Sequence, residues 1–597
     1  MNLPNPAIVA ERGAQRLPRL ALLLFCAAYV IPGLFGRDPW RNADMTAFGF
    51  MASIAQGHAA WWQPAIAGIP SEGGLLPYWI GAAFIKALPW LDPALAARLP
   101  FGLALVAVLV LVWYTTFHLA RTDAAQPVAF AFGGEAHAID YARALADGAR
   151  LALVAVLVRV WYTTCHLART DAGQPVAFAV GGEAHALDSA RALADGARLA
   201  LVASLGLLLL GHETTPELMQ LLACSLFIYG LAAAPYRETK ARIAVLLALP
   251  LLAASGAPAM AAALGAGGAW LVRRSSYEQV RRLLPWLLVA VALGALSAWE
   301  FRGWAWRVAV DGHAKDPLRF VSQLAWFCWP AWPMALWTLW RWRRHWQHRH
   351  VSVPLLGVLV PLVTSLLMNG SDRALLLALP ALAVLASFAL PTLRRSVAAA
   401  MDWFSVFFFS AGALFVWAYY ASMQAGWPTQ PLANIRKLAQ GFEPSFHPLA
   451  LAVALLGTAA WIALVRWRTA RHQHALWKSL VLPAGGVALL WLLAMSLWLP
   501  LLDYARSNRA LIERLRSQLP TEFNCLAAPG QPMSLLASLE FQGGWVIEAR
   551  RPLAQSSCQY ALLQNDTQAT LPEGWSQVGT VRRPTDRVQH YLVLRRL

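Results

Sequence analysis

The sequence predicts a polytopic α-helical membrane protein with about 13 transmembrane helices, followed by a small α/β domain. Apolar runs long enough to cross a bilayer recur along most of the chain. Hydrophobic residues make up 58% of it and charged residues only 13%. Basic clusters lie between the apolar runs, as cytoplasmic loops do in membrane proteins. The net charge of +18 therefore indicates membrane topology and argues against nucleic-acid binding.

The N-terminal region predicts one span and a long external loop. The first apolar run, about residues 20–35, follows three arginines and has no small-residue cleavage site, which favours an uncleaved span. Residues 36–100 then form the external loop. Segments 43–57 and 78–90 have helical apolar spacing but are too short to span, so we expect two interfacial helices. Five tryptophans fit an aromatic belt there: Trp40, Trp61, Trp62, Trp79 and Trp90.

A tandem duplication follows the predicted second span, 101–119. Leu103–Arg150 recurs with few changes as Leu151–Arg198, a period of 48 residues. The apolar run of the second copy carries Arg159, and a central arginine costs a few kcal/mol on membrane insertion. We therefore expect residues 151–167 to lie at the interface, which leaves the topology of the later loops unchanged.

The rest of the chain predicts further spans and a separate domain. The spans are expected at 199–211, 217–233, 243–254, 259–272, 283–298, 324–340, 351–368, 374–391, 402–421, 448–465 and 479–502. Together with the spans at 20–35 and 101–119 they number 13, and an odd number places the two ends of the chain on opposite sides of the membrane. We therefore expect a membrane domain, 1–502, and an external domain, 503–597, in which helix and strand signals alternate. Cys525 and Cys558 lie in that domain and could form a disulfide.

Charged residues directly after the first span form the first candidate site. Arg37, Asp38, Arg41 and Asp44 place two carboxylates and two guanidiniums beside a membrane surface. Such a cluster suggests an acid that acts as a base or metal ligand, beside cations that hold a phosphate. A juxtamembrane salt-bridge cluster with Asp44 as a helix N-cap explains the same residues.

Other predicted external turns carry further candidates. His212, Glu213 and Glu217 lie in a turn in which Pro216 suits the start of a helix, and Glu217 would favour the positive end of that helix. Capping and function therefore both remain open for this turn. Arg373 lies in a tight turn, and Arg302 lies in a mixed-charge loop. No Walker, Rossmann or Ser-His-Asp pattern emerges.

In their order along the chain, several short motifs resemble the C-type integral-membrane glycosyltransferases, similar to lipid A aminoarabinose transferases and protein mannosyltransferases. The resemblance covers about residues 20–400. It is carried by Asp44 at the start of the first interfacial helix, Leu76-Pro77-Tyr78-Trp79, Ala97-Arg98-Leu99-Pro100, Thr214-Thr215-Pro216-Glu217, Ser255-Gly256-Ala257-Pro258 and the span that opens with Ser371-Asp372-Arg373. The family's Asp-Glu pair reads Asp44-Met45 here.

The resemblance implies transfer, with inversion, of a hexosyl or pentosyl group from a polyprenyl-phosphate carrier to a periplasmic lipid or glycan, as in lipopolysaccharide modification. It places the chain in a bacterial inner membrane, with a cytoplasmic N-terminus and a periplasmic C-terminal domain. It implies that Asp44 and Glu217 are catalytic and allows a divalent metal ion at the same two residues. The residues expected to bind substrate are Arg37, Asp38, Arg41, His212, Glu213, Arg302 and Arg373.

Two alternatives to a transferase stay open, namely a transporter of polyprenyl-linked lipids and a catalytically inactive family member. A transporter would place ionisable residues near the middle of the membrane and contain inverted repeats. In this sequence the acids concentrate in predicted external loops, and the repeat is a local tandem copy. The pattern favours the enzyme.

Overall fold

The computed structural model describes residues 11–40, 42–122, 125, 186–300, 317–470, 475–564, 572–586 and 589–597. Most of these residues are helical, and a five-stranded sheet lies near the C-terminus. The predicted interfacial segment 151–167 and most of the tandem duplication lie outside the described residues.

The first part of the chain builds the helices around the candidate site. They are α1 Arg19–Val30, α2 Ala43–Gln56, α3 Leu76–Ala87, α4 Pro93–Ala120, α5 Ala186–Val202, α6 Leu205–Leu210, α7 Pro216–Ala233, α8 Glu238–Ala254, α9 Pro258–Arg273, α10 Glu278–Arg281 and α11 Leu284–Glu300. A short antiparallel hairpin, β1 Ala65–Ile66 and β2 Ile69–Pro70, lies between α2 and α3. Helices α2 and α3 have nearly the bounds predicted for the two interfacial segments.

The later helices complete the predicted membrane domain and lead into the predicted C-terminal domain, 503–597. They are α12 Pro317–Phe327, α13 Ala331–Arg341, α14 Arg349–Leu367, α15 Asp372–Leu376, α16 Leu379–Ser387, α17 Arg395–Ala425, α18 Thr429–Leu438, α19 Pro448–Thr469, α20 Lys478–Leu497, α21 Leu499–Arg506, α22 Arg509–Arg516 and α23 Met533–Phe541. Short 3-10 turns lie at Glu11–Ala14, Leu390–Thr392 and Leu553–Gln555.

Seven helical segments among the described residues are long and apolar enough to cross a membrane. They are Pro93–Ala120, Pro216–Ala233, Glu278–Glu300, Arg349–Leu367, Arg395–Ala425, Pro448–Thr469 and Lys478–Leu497. The predicted total of about 13 spans is thus not confirmed. Several predicted spans are shorter or broken helices, because proline removes a backbone donor and disfavours helical geometry in the preceding residue. Pro32 follows α1, and Pro330 separates α12 from α13.

The span predicted at 199–211 is also broken, between α5 and α6. The N–H of Leu205 donates to the carbonyl of Trp329 at 3.2 Å instead of continuing the helix. A Cβ atom on Gly206 would lie only 2.4 Å from the Phe327 ring. The helix therefore ends where another part of the chain crosses it closely. Short helix α6 then leads into the turn that carries His212 and Glu213, and Glu217 lies in the first turn of α7.

The C-terminal domain combines helices with a mixed sheet. Its strands are β3 Leu526–Ala527, β4 Ile547–Glu548, β5 Tyr560–Gln564, β6 Trp575–Val581 and β7 Tyr591–Arg596, in the order β4-β3-β5-β7-β6. Strand β3 runs parallel to β4 and β5, whereas β7 is antiparallel to β5 and β6. Helices α21 and α22 are separated by Ser507 and Asn508. Cys525 and Cys558 form a disulfide.

Helix α23 of the C-terminal domain packs directly on helix α2 of the first loop. A Cβ on Gly49 would lie 2.5 Å from the Cβ of Ala537, so only glycine permits this approach. Beside it, the rings of Phe48 and Phe541 meet edge to face with centroids 4.7 Å apart. The first loop is therefore covered by the last domain of the chain.

Candidate functional site

Asp44 lies in the first turn of α2 but does not cap the helix. The N-cap position belongs to Asn42, whose φ is 75° and whose side chain makes no capping hydrogen bond. The Asp44 carboxylate instead reaches back, and its Oδ2 accepts the backbone N–H of Trp40 at 3.1 Å. The expectation that Asp44 is the N-cap was thus wrong by two residues, although the carboxylate does bind the backbone just before the helix.

The Asp44 carboxylate joins the first two predicted clusters. Its Oδ1 accepts both the backbone N–H of Thr214, at 2.8 Å, and the Thr214 hydroxyl, at 2.7 Å. Its Oδ2 also accepts from Arg37 Nη2 at 3.2 Å, and the same nitrogen donates to the carbonyl of His212 at 2.7 Å. Asp44 and Arg37 are both fully buried. The loop before α2 is therefore locked onto the turn before α7.

Two cations keep Asp44 ionised in this buried position. Burial on its own would raise the pKa of Asp44, but the charges of Arg37 and Arg98 and the two hydrogen bonds from Thr214 lower it below its ordinary value. The surroundings of this carboxylate therefore favour a permanent negative charge.

His212 is enclosed by protein groups. One ring nitrogen lies 2.7 Å from the carbonyl of Leu208 and the other 2.8 Å from the carbonyl of Tyr29. The imidazole also packs on Trp491, with ring centroids 4.4 Å apart. Burial lowers the pKa of His212 to about 4, so the ring is neutral near pH 7 and one nitrogen donates at a time.

Arg373 forms the second charged cluster with two glutamates. Its guanidinium donates to Glu213 Oε2 at 2.6 Å and to Glu217 Oε2 at 3.3 Å. Burial would lower the pKa of Arg373, but the two carboxylates raise it above its ordinary value. Burial raises the pKa of Glu213, against the opposing charge of Arg373. One cation therefore faces two acids.

A cavity of about 500 Å³ opens beside this second cluster. Its wall combines parts of α2, α3, α7, α9, α14 and α15 with two glycine-containing turns. The polar side chains in the wall are Thr46, Tyr78, Glu217, Gln220, Ser255, Thr364, Ser371 and Arg373, and Met260, Met368 and Leu377 contribute apolar surface. The volume is within the range of small-molecule sites, and the mixed lining suits a ligand with polar and apolar parts.

Two glycines shape one wall of the cavity. Gly256 has a φ of +93°, and a Cβ atom there would lie 2.9 Å from the backbone nitrogen of Gly74. The turn is also fixed by Gln220, whose Nε2 donates to the carbonyl of Ser255 at 2.8 Å. The motif Ser255–Pro258 thus forms a tight turn, and its close contact with the first loop requires glycine on both sides.

The structure brings most of the predicted site residues into one region, but not all of them face the cavity. Glu217 and Arg373 line it, and Glu213 contacts Arg373. Buried behind them are Arg37, Asp44 and His212. Asp38 faces the C-terminal domain, where Arg509 donates to both of its oxygens at 2.6 and 2.8 Å. Arg41 and Arg302 lie outside the described residues.

The resemblance allows a divalent metal ion at Asp44 and Glu217, and the contacts of these two residues show whether their arrangement fits one. Both oxygens of Asp44 face hydrogen-bond donors, and Glu217 pairs with Arg373. Within the described ranges, a cluster of three potential metal ligands occurs only at Cys525, Glu548 and Cys558, where the two cysteines are already joined. In this arrangement the residues do not fit a divalent ion shared by Asp44 and Glu217, and metal binding stays a prediction.

Several residues around Asp44 were not predicted as parts of a site. Thr214 supplies two donors to Asp44. Thr214 and Arg98 belong to two of the short motifs that carry the resemblance, but neither was assigned a role in the site. Trp40 was expected in an interfacial belt, yet it is 4% exposed and packs between charged residues, whereas Trp62 and Trp90 are more than 70% exposed.

Two solved structures share this fold over nearly their whole length. One is the crystal structure of ArnT from Cupriavidus metallidurans bound to undecaprenyl phosphate, with 12% identity, a TM-score of 0.56, and coverage of 96% of this chain and 97% of that chain. The other is ArnT from the same organism in the apo state, with 14% identity, a TM-score of 0.57, and coverage of 96% and 98%. No protein-family model and no curated protein matches the sequence. The resemblance predicted from the motifs is thus confirmed for the fold, which is that of ArnT.

Proposed function

We propose that the protein is a glycosyltransferase that moves a sugar from a polyprenyl-phosphate carrier to a lipid or glycan acceptor. The observation that carries this proposal is the cavity whose wall contains both Glu217 and Arg373. Its setting supports the proposal, because the chain has the fold of ArnT, which was crystallised with undecaprenyl phosphate. We further propose an inner-membrane location, with this site and the C-terminal domain on the periplasmic side and the N-terminus in the cytoplasm.

We assign to Arg373 the role of binding the phosphate of the carrier. The leaving group in such a transfer is an anionic polyprenyl phosphate, and a guanidinium stabilises phosphate through paired, charge-assisted hydrogen bonds. Its fork is held by Glu213 and Glu217 at the edge of the cavity. The carrier phosphate would replace one of these carboxylates as the partner of Arg373. We expect it to replace Glu213, because burial already disfavours the charged form of that carboxyl.

We assign to Glu217 the role of general base that accepts the proton of the acceptor hydroxyl. The acceptor hydroxyl oxygen attacks the anomeric carbon as the bond from that carbon to the phosphate oxygen breaks, and the hydroxyl proton passes to the Glu217 carboxylate. This single displacement inverts the anomeric centre and releases the polyprenyl phosphate. Asp44, the other acid predicted to be catalytic, has both oxygens engaged. We assign it the role of fixed negative charge that aligns the Thr214–Glu217 turn.

The test is transfer of a labelled sugar from polyprenyl phosphate in membranes that contain the wild type, Asp44→Asn, Glu217→Gln or Arg373→Met. Expression and insertion of each variant are checked first. We expect wild-type transfer, near-complete loss with Glu217→Gln and Arg373→Met, and a smaller loss with Asp44→Asn. Full transfer by Glu217→Gln would remove it as the base. No transfer by the wild type with several donor sugars, together with wild-type-dependent movement of the carrier across vesicles, would favour a transporter.

A further inference from the structure

Trp40 connects the candidate site to the segment that leads into the C-terminal domain. Its indole Nε1 donates to Asp503 Oδ1 at 2.8 Å. Two guanidiniums lie over its ring, that of Arg37 at 4.7 Å and that of Arg506 at 4.9 Å from the centroid. Because cations are attracted to the face of an indole and the ring is buried, Trp40 has little freedom to reorient while Asp503 holds its nitrogen.

The backbone of the same tryptophan holds the Asp44 carboxylate. The Trp40 N–H donates to Asp44 Oδ2, the oxygen that also accepts from Arg37. A shift of Trp40 would therefore disturb the backbone donor of Asp44 and the cation that packs on the indole. Helix α21 contacts this loop at a second point, since Asp503 Oδ2 accepts the backbone N–H of Asp38 at 3.4 Å. Both oxygens of Asp503 thus bind the first loop.

We propose that Asp503 is a positioning residue of the transfer site. It orients Trp40 and, through Trp40, the Arg37–Asp44 pair, so that the docked C-terminal segment completes the site. The effect on transfer rests on the proposed function, whereas the effect on the order of the loop does not. Asp503 itself does not line the cavity.

The charges around Asp503 suggest a pH signature for this role. Burial raises the pKa of Asp503 to about 7, the neighbouring Asp38 adds to the rise, and the Trp40 hydrogen bond and the Arg37 charge oppose it. The charge of Asp503 is also felt by Arg98 on α4 and by Arg509 on α22, and Arg506 lies on its own helix. An ionised carboxylate accepts from Trp40 and Asp38 at once, whereas a protonated one loses an acceptor position. Wild-type kcat should therefore fall as the pH drops through about 7.

The test compares Asp503→Asn and Asp503→Leu with Glu540→Leu as a matched control. Glu540 is also a carboxylate beyond the membrane domain that accepts a first-loop N–H, that of Ala67 at 2.8 Å, but it does not contact Trp40. We expect Asp503→Leu to lower kcat by about tenfold with the donor KM changed less than about twofold. Asp503→Asn keeps one acceptor oxygen, as the protonated carboxyl does. Its kcat should therefore not depend on pH between 6 and 8 and should be close to that of the wild type at pH 6. The control should keep both kcat and the pH profile.

Hydrogen exchange of the purified full-length variants gives a second measurement that does not need activity. The N–H of Met45 donates to the Trp40 carbonyl at 2.9 Å, so its protection reports the order of this loop. Asp503→Leu should lose this protection, whereas Asp503→Asn and Glu540→Leu should retain it. Unchanged protection and kcat in Asp503→Leu would overturn the proposal, and so would an equal fall of kcat in the Glu540 control. If the wild type transfers no sugar, the proposed function fails while the exchange result still decides the role of Asp503.

Discussion

The carboxylate of Asp44 and the hydroxyl of Thr214 lie 2.7 Å apart although 170 residues separate them in the chain. This hydrogen bond and the one from the Thr214 N–H join the start of α2 to the turn before α7. The cavity that holds Glu217 and Arg373 lies next to this junction. Its shape therefore depends on contacts between residues that are far apart in the sequence.

Replacing Thr214 with valine should weaken this junction without changing the volume of the side chain. A hydrogen bond to a charged group contributes roughly 1.5–3 kcal/mol, so the variant should unfold several degrees below the wild type and transfer sugar about tenfold more slowly. Thermal unfolding in detergent and the transfer assay measure the two effects. The control is Thr215→Val, because the buried Thr215 hydroxyl has no hydrogen-bond partner within the described part of the chain. Equal losses in both variants would contradict the role of Thr214.

Arg373→Met should abolish transfer and also destabilise the protein by about 1–3 kcal/mol, because Glu213 is then buried without its cation. The double variant Arg373→Met with Glu213→Gln removes the unpaired charge. We expect it to recover most of the lost stability but none of the transfer. Unfolding midpoints and transfer rates of the three proteins separate the contributions. Recovery of transfer together with stability would show that Arg373 has a structural role only.

The pH dependence of stability should contain a component from His212. The pKa of His212 is about 4 in the folded protein and near 6.5 in an unfolded chain, so the unfolded state binds more protons between these values. Stability from the neutral ring is thus complete above pH 6.5 and declines as the pH falls towards 4. A difference of this size corresponds to something on the order of 3 kcal/mol. Unfolding midpoints from pH 7 to 4 should fall less in His212→Gln than in the wild type, and identical slopes would contradict this.

Gly256→Ala should destabilise the protein for two reasons. The added Cβ would lie 2.9 Å from the Gly74 nitrogen, and the alanine would have to adopt the positive φ of this turn. The matched control is Gly57→Ala, at a similar φ of +80° but with open space around the Cβ. We expect a cost of about 1 kcal/mol for the control and about 2–4 kcal/mol for Gly256→Ala, with transfer lost only in the latter. Equal costs in denaturant unfolding would show that the contact with Gly74 yields readily.

The parts of the fold that were predicted correctly depend on local signals. Pro216 begins α7 as its position suggested, and α2 and α3 follow the spacing of their apolar residues. The turn at Asn369–Arg373 forms where asparagine and glycine with positive φ were available. Each of these features needs only a few neighbouring residues, so the sequence contains enough information to predict them.

The parts that were not predicted depend on partners far along the chain. The break before α6 exists because the N–H of Leu205 donates to the carbonyl of Trp329. No sequence pattern near residue 205 predicts that contact. Trp40 was assigned to a membrane interface because tryptophan is common there, but Asp503 holds it in a buried position. Of the candidate site, the acids and Arg373 could be predicted from their locations, whereas the contacts of Thr214 with Asp44 and of Asp503 with Trp40 could not.

The contact between Gly49 and Ala537 has a consequence for exchanging domains between related proteins. Because these two backbones approach too closely for larger side chains, a C-terminal domain from another protein would be accepted only if it carried a small residue at the matching point of its α23 helix. A chimera that brought leucine to that point would have to lift the whole domain from α2. The residues at positions 49 and 537 must therefore both stay small for the C-terminal domain to pack on α2.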